Sequence, residues 1–207
     1  MAESYIQIPP DSTGKKTRSR SRVIGADTVY EQAVFLGSNP TFYATADAVA
    51  FAANKHMISI YNAAASGVLI VIKKLYLINL QLSSITGVAL RQDVKRFSAE
   101  HSAGTLVTPV SCDSANPALP AGVTVRTGAT VTDLALLFPL TFANDEIGAT
   151  QAFPSTQLLA GISWMPEGSE VQEVRLREGE GLTVKNITST TAGSFAYMFV
   201  FTVEDLT

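Results

Sequence analysis

The last strand-like segment of the chain constrains its fold most. Phe195, Tyr197, Phe199, Phe201 and Val203 recur at every second position, and Ala196, Met198 and Val200 fill the places between them. Successive side chains of a strand point to opposite faces, so this pattern predicts a strand that is apolar on both. Such a strand belongs in the middle of a sandwich, where both faces find cover.

The same period runs upstream. Residues 57–62 read as a strand, followed by small turn residues. Val68, Ile70, Ile72, Tyr76, Ile78, Leu80 and Leu82 then alternate on one face, broken only by Lys74. At about 3.4 Å per residue this run exceeds an ordinary strand, so a bend or bulge is expected near Lys73-Lys74. Residues 29–36, 131–142, 157–164, 171–176 and 182–186 also have strand character, and the segment from Val88 to Lys95 shows a polar face that suits a solvated side. Arg177-Glu178-Gly179-Glu180-Gly181 reads as a tight reversal. Residues 41–54 are ambiguous: Ala46, Val49, Ala50 and Ala53 fit a helical face, Phe42, Val49 and Phe51 a loose strand, and irregular structure is expected there. Roughly eight strands without convincing helices predict an all-β, antiparallel β-sandwich. A jelly roll is the first expectation and an immunoglobulin-like sandwich the second.

Two segments depart from this pattern. Residues 102–129 are punctuated by Gly104, Pro109, Pro117, Pro120, Gly122 and Gly128, and a long excursion of this kind is usually a functional or contact loop. Residues 1–25 hold the run Lys15, Lys16, Arg18, Arg20 and Arg22, against Glu3 and Asp11 alone. Charges at that density repel and offer nothing to bury, so an extended basic arm is expected, unfolded until it meets a partner. The plainer reading is a solvated chain end. Residues 26–207 then form a single domain.

Of the fifteen basic and eighteen acidic residues in the 207-residue chain, ten and sixteen lie beyond residue 25, so an acidic body carries a basic tether. Only 16% of residues are charged, which suits faces covered by neighbouring subunits. With one cysteine, Cys112, no intrachain disulfide staples the fold. No segment resembles a signal peptide, and no apolar run approaches the ~20 residues of a membrane span, so a soluble, cytoplasmically made protein is expected. The sequon at Asn186-Ile187-Thr188 then reads as coincidence.

No catalytic set is legible. His56 and His101 fall in different segments without a third ligand at metal spacing, and surface or loop positions are expected for both. Asn144-Asp145-Glu146 and Asp113 with Asn116 read as solvated turns and not as calcium sites. A carboxylate beside Cys112 is a poor setting for a nucleophilic thiol. No G-x-S-x-G is present, and Gly179-Glu180-Gly181 is too short to cradle phosphate. No metal, cofactor or enzyme activity is therefore expected. Trp164, at a strand end beside a turn, is a possible ligand or interface residue: a sugar platform, or a seal at the sandwich edge or a subunit contact.

Three stretches carry a family resemblance. Ile8-Pro9-Pro10-Asp11-Ser12-Thr13-Gly14-Lys15-Lys16, Asn116-Pro117-Ala118-Leu119-Pro120-Ala121-Gly122-Val123 and Leu176-Arg177-Glu178-Gly179-Glu180-Gly181-Leu182-Thr183-Val184 resemble virion structural proteins of tailed bacteriophages. The resemblance implies a non-enzymatic particle component: a capsid decoration (cement) protein, a head-fibre base or a tail accessory protein. It further implies a homotrimer whose N-terminal arm docks on the major capsid protein. A jelly-roll coat protein and a carbohydrate- or receptor-binding module are the alternatives. For the coat reading, five arm charges would give only a modest salt slope, about 0.7–0.9 per charge, so nucleic acid is not the expected partner.

Overall fold

The computed structural model describes residues 19–24, 27–32, 39–79, 88–144, 161–164, 172–187 and 194–205. Contacts divide the chain into a unit of residues 1–38 and a unit of residues 39–207.

In the first unit, β1 (Ser19–Ile24) and β2 (Asp27–Gln32) pair antiparallel, with Arg20 opposite Glu31 and Arg22 opposite Val29. The C-terminal part of the basic segment is therefore strand. Lys15, Lys16 and Arg18 lie outside the described residues.

The second unit contains β3 (Thr41–Ala50), β4 (His56–Asn62), β5 (Val68–Asn79), β6 (Val88–Phe97), β7 (Thr105–Val107), β8 (Val110–Ser111), β9 (Val123–Thr127), β10 (Leu136–Asn144), β11 (Gly161–Trp164), β12 (Val174–Leu176), β13 (Glu180–Asn186) and β14 (Ser194–Asp205). No helix occurs among the described residues. The first sheet runs β10-β6-β13-β4-β9-β7 and the second β11-β5-β14-β3-β8, with β12 also on β5. Every pairing is antiparallel. The two sheets pack as a sandwich over a core that draws Ile58, Ile60, Val94, Leu182 and Val184 from the first and Phe42, Ile70, Ile72, Phe199 and Phe201 from the second.

The pairings nest. β3 pairs with β14, β4 with β13, β5 with β12 and β11, and β6 with β10. Outside the β7–β9 excursion, consecutive strands mostly alternate between the sheets, so the chain winds around the core as a folded double strip. This order is consistent with a jelly roll. β14 lies between β5 and β3, as its two apolar faces predict, and its Phe/Tyr row points into the core.

Two bulges set the phase of the long strands. Val200 is opposite Lys74 but Phe201 is opposite Ile72, so Lys73 is the extra residue on β5. The expected bulge is present, yet it also flips the side chains beyond it: Leu75 and Leu77 enter the core, while Tyr76 and Ile78 turn to the other face. On β3, Tyr197 is opposite Ala46 and Phe195 opposite Val49, so Asp47 and Ala48 together face Ala196. Residues 41–50 are thus a strand and not irregular. The bulge separates the core residues Ala46 and Val49 by three positions, a spacing that imitates a helical face.

Gly179 takes the left-handed conformation (φ 77°) in the reversal into β13, the backbone a glycine supplies there without strain. Gly181 follows for a different reason. The Phe97 ring, across the pair β13–β6, fills the space where its side chain would be.

Candidate functional site

Residues that alternate with the core positions of the first sheet form its outer face: Ser59 and Tyr61 on β4, Lys95 and Phe97 on β6, Thr124 and Arg126 on β9, Thr183 and Lys185 on β13. A solvated face was the expectation for β6. Instead, residues 98–104 and 128–135 fold back over it, pinned by the Ser102–Thr130 bridge and the Leu134 N–H bond to the Arg96 carbonyl. Asp93, Ser59 and Thr183 are buried as a result.

Both histidines are buried, 8% and 2% exposed for His56 and His101: His56 opens β4 and is not a surface residue, while His101 does lie in a loop, with its ring turned onto the sheet. His101 Nδ1 meets Ser59 Oγ at 2.8 Å and its Nε2 meets Thr124 Oγ1 at 2.9 Å. Its ring stacks on Phe97 with centroids 5.8 Å apart and tilts against Tyr61 at 5.8 Å. Burial lowers its pKa to about 4, helped by the charge on Arg126. A serine hydroxyl on an imidazole is the start of a nucleophile–base pair, but the third group is the Thr124 hydroxyl and not an orienting carboxylate. Ser59 itself has no exposed surface.

The second cluster centres on Asp133. Lys185 and Lys95 donate to its Oδ2 at 2.7 and 3.0 Å, and His56 Nε2 lies 3.4 Å from Oδ1. The other imidazole nitrogen of His56 meets Thr183 Oγ1 at 3.1 Å, and Thr183 donates to the Ile58 carbonyl. Burial pushes the Asp133 carboxyl up, but the two ammonium hydrogen bonds outweigh it and hold the pKa below the usual value. His56 is lowered by burial first and by Lys185 and Lys95 next, against the opposing pull of Asp133. This arrangement fastens the 128–135 segment to β4, β6 and β13. No group of metal-binding side chains occurs among the described residues.

Trp164 is half-buried on β11 and stacks on Phe138 of β10, centroids 4.9 Å apart and rings 21° from parallel. Both pack against the core, so the pair closes the sandwich where the outermost strands of the two sheets approach. One face of the indole is thereby occupied within the protein. Cys112 is exposed, and the Asp113–Asn116 segment is a turn closed on itself, with Asp113 accepting from the Asn116 and Ala115 amides. Asp145 and Glu146 lie outside the described residues. Asn186 of the sequon is buried and donates to the Ala52 carbonyl.

A groove of about 540 Å³ opens at one end of the sandwich. Phe42, Val68 and Val203 form its buried floor, Pro117, Ala118 and Pro120 of the long excursion one wall, and Asn39, Glu204 and Asp205 its polar rim. The Asn39 amide donates to Glu204 Oε1 at 2.9 Å, and no Lys, Arg or His lines the space. Sequence reading marked the 102–129 excursion as a contact loop but did not foresee its meeting with the end of β14. Exposed apolar side chains gather elsewhere, with Leu134, Leu136 and Leu137 beside and along the edge strand β10.

No helix among the described residues is long and apolar enough to cross a membrane. No protein-family model, curated protein or solved structure matches the chain.

Proposed function

We propose that the protein is a non-enzymatic structural component of a bacteriophage particle, a decoration (cement) protein that self-associates, as a trimer, and binds the shell formed by the major capsid protein. The observation that carries the reading is the pairing of a wound antiparallel sandwich with a separate N-terminal unit rich in Lys and Arg. A sandwich whose strands nest end to end is a rigid block suited to repeated packing. A basic N-terminal segment ahead of an acidic body gives it a means of joining protein neighbours in the assembly. The short stretches resembling phage virion proteins point the same way, and two of them coincide with built features: 117–120 walls the groove, and 176–184 forms the reversal into β13.

The carbohydrate-binding alternative draws no support from Trp164, whose ring face is taken by Phe138. The polar clusters are also accounted for as fasteners of the sheet cover. The coat-protein alternative differs in what the arm meets, and nucleic acid separates the two. Fluorescence anisotropy of a single-stranded oligonucleotide at two salt concentrations is expected to show weak binding without a steep salt dependence. Tight low-salt binding that disappears when Lys15, Lys16, Arg18, Arg20 and Arg22 become Ala would favour the coat reading. Mass spectrometry of purified particles tests the class itself. Copies on the order of hundreds per particle fit a symmetric surface-covering component, whereas about a dozen or fewer place the protein at the portal or tail.

A further inference from the structure

The groove at the end of the sandwich combines an apolar floor, a proline wall and a rim with two carboxylates, Glu204 and Asp205, without a lining cation. A segment with apolar residues followed by Lys and Arg matches that combination. Apolar side chains would lie over Phe42, Val68 and Val203, and long basic side chains would rest their stems on the prolines with their charged heads at the carboxylates. The chain holds such a segment: Ile6, Ile8, Pro9 and Pro10, then Lys15, Lys16 and Arg18. Those residues belong to the eighteen that precede β1. Fully extended, that length reaches about 60 Å.

We propose that the groove of each copy receives residues 6–10 of a second copy, with the Lys15, Lys16 and Arg18 that follow set against the rim at Glu204 and Asp205. This inference rests on the self-association proposed above and names the contact that produces it. An arm laid in a neighbour's groove is a heterologous contact, and each copy owns one arm and one groove. Three such contacts around a threefold axis close a ring, which is the form this contact takes in the proposed trimer. Because the rim is solvent-accessible, added salt weakens the contact.

Two measurements on the full chain test this. Ile8→Cys and Ala118→Cys are introduced together with Cys112→Ser, which removes the exposed native thiol. After mild oxidation, a denaturing gel is expected to show covalent dimers and trimers that need both new cysteines. A disulfide confined within single chains, or none above the single-cysteine controls, overturns the inference. In parallel, analytical ultracentrifugation follows the variant Glu204→Lys with Asp205→Lys. Its dissociation constant is expected to rise on the order of a hundredfold. Adding Lys15→Glu, Lys16→Glu and Arg18→Glu is expected to restore assembly, which a loss of folding would not allow. If the chain keeps its oligomeric size without residues 1–18, the arm-in-groove contact is wrong and self-association stands. If the unaltered chain sediments as a monomer at high micromolar concentration, self-association falls and this inference with it.

Discussion

One of the hydrogen bonds that join the two sheets lies wholly between core side chains, and its removal gives a sharp test of the fold. Tyr197 on β14 donates from its hydroxyl to Gln92 Oε1 on β6 at 3.0 Å, and both side chains are fully buried. Burial raises the tyrosine pKa well above its ordinary value, so the hydroxyl stays protonated across the working range. The Gln92 amide nitrogen already lacks a partner. Tyr197→Phe therefore strands the whole carboxamide, and Gln92→Leu strands the phenol. An unsatisfied buried polar group costs about 1–3 kcal/mol, so each single variant is expected to lose about 2 kcal/mol. The double variant removes both polar groups together and is expected to fall within about 1 kcal/mol of the unaltered protein, with a coupling energy of about 3–4 kcal/mol.

Urea denaturation at one fixed protein concentration reads these values, because any self-association shifts apparent stability with concentration. The midpoint should move while the slope stays constant. By heat, the single variants should melt about 4–8 °C lower, since 1 kcal/mol corresponds to about 2–4 °C at this chain length. Additive losses in the double variant would refute the reasoning. They would mean that the two groups are not satisfied by each other, and hence that β6 and β14 do not meet across the core in this register.

The remaining predictions address the outer face and the bulges. Gly181→Ala places a methyl group within the Phe97 ring, which stacks on Tyr61 and His101, and is expected to lower stability by about 1–3 kcal/mol in the same denaturation assay; an unchanged midpoint would contradict the packing. Ala48 holds a left-handed backbone (φ 49°) in the β3 bulge, so Ala48→Gly is expected to raise stability by about 0.5–1 kcal/mol, and a loss instead would argue against the bulge. Acid should weaken the fold in two steps. His56 and His101 have pKa values lowered on folding, so the unfolded chain binds their protons first, and the stability present above pH 6.5 is lost as pH falls towards 4. For His101 this is about 2 kcal/mol after solvent screening is allowed for, and His101→Gln should remove that portion of the pH dependence; an unchanged profile would refute it. Asp133, lowered from 3.8, gives stability that is lost only below that value.

How much of this was legible depended on what each signal averages over. Strand character and the central place of β14 followed from period two, because apolar burial repeats locally and leaves a local trace. The phase did not survive the bulges. At Lys73 the position of the bulge was foreseen, since a long strand has to bend near its only charged break. Its consequence, that Tyr76 and Ile78 leave the core face, depends on the opposing strand β14. At Asp47-Ala48 the same device left a three-residue spacing that reads as helical. A periodicity argument sees the chain alone, whereas a bulge is a property of a pair of strands.

The polar clusters were illegible for a related reason. His101 meets Ser59 across 42 positions and His56 meets Thr183 across 127, and neither spacing is one that local rules recognise. Their residue types looked like solvent-facing ones because hydrophilic composition marks the need for partners and not the presence of water. On this sheet the partners are supplied by a cover that the chain folds from its own excursion between β6 and β10. That cover has a consequence for assembly. With the outer face of the first sheet occupied by residues 98–104 and 128–135, a second molecule cannot use it as a flat docking surface. Elsewhere the described surface offers the acidic groove at one end of the sandwich, the leucines beside β10 at an edge, and the outer face of the second sheet with Tyr43, Tyr76 and Ile78. If copies associate through the groove as proposed, variants of its carboxylates change the oligomeric size more than substitutions on the covered face do.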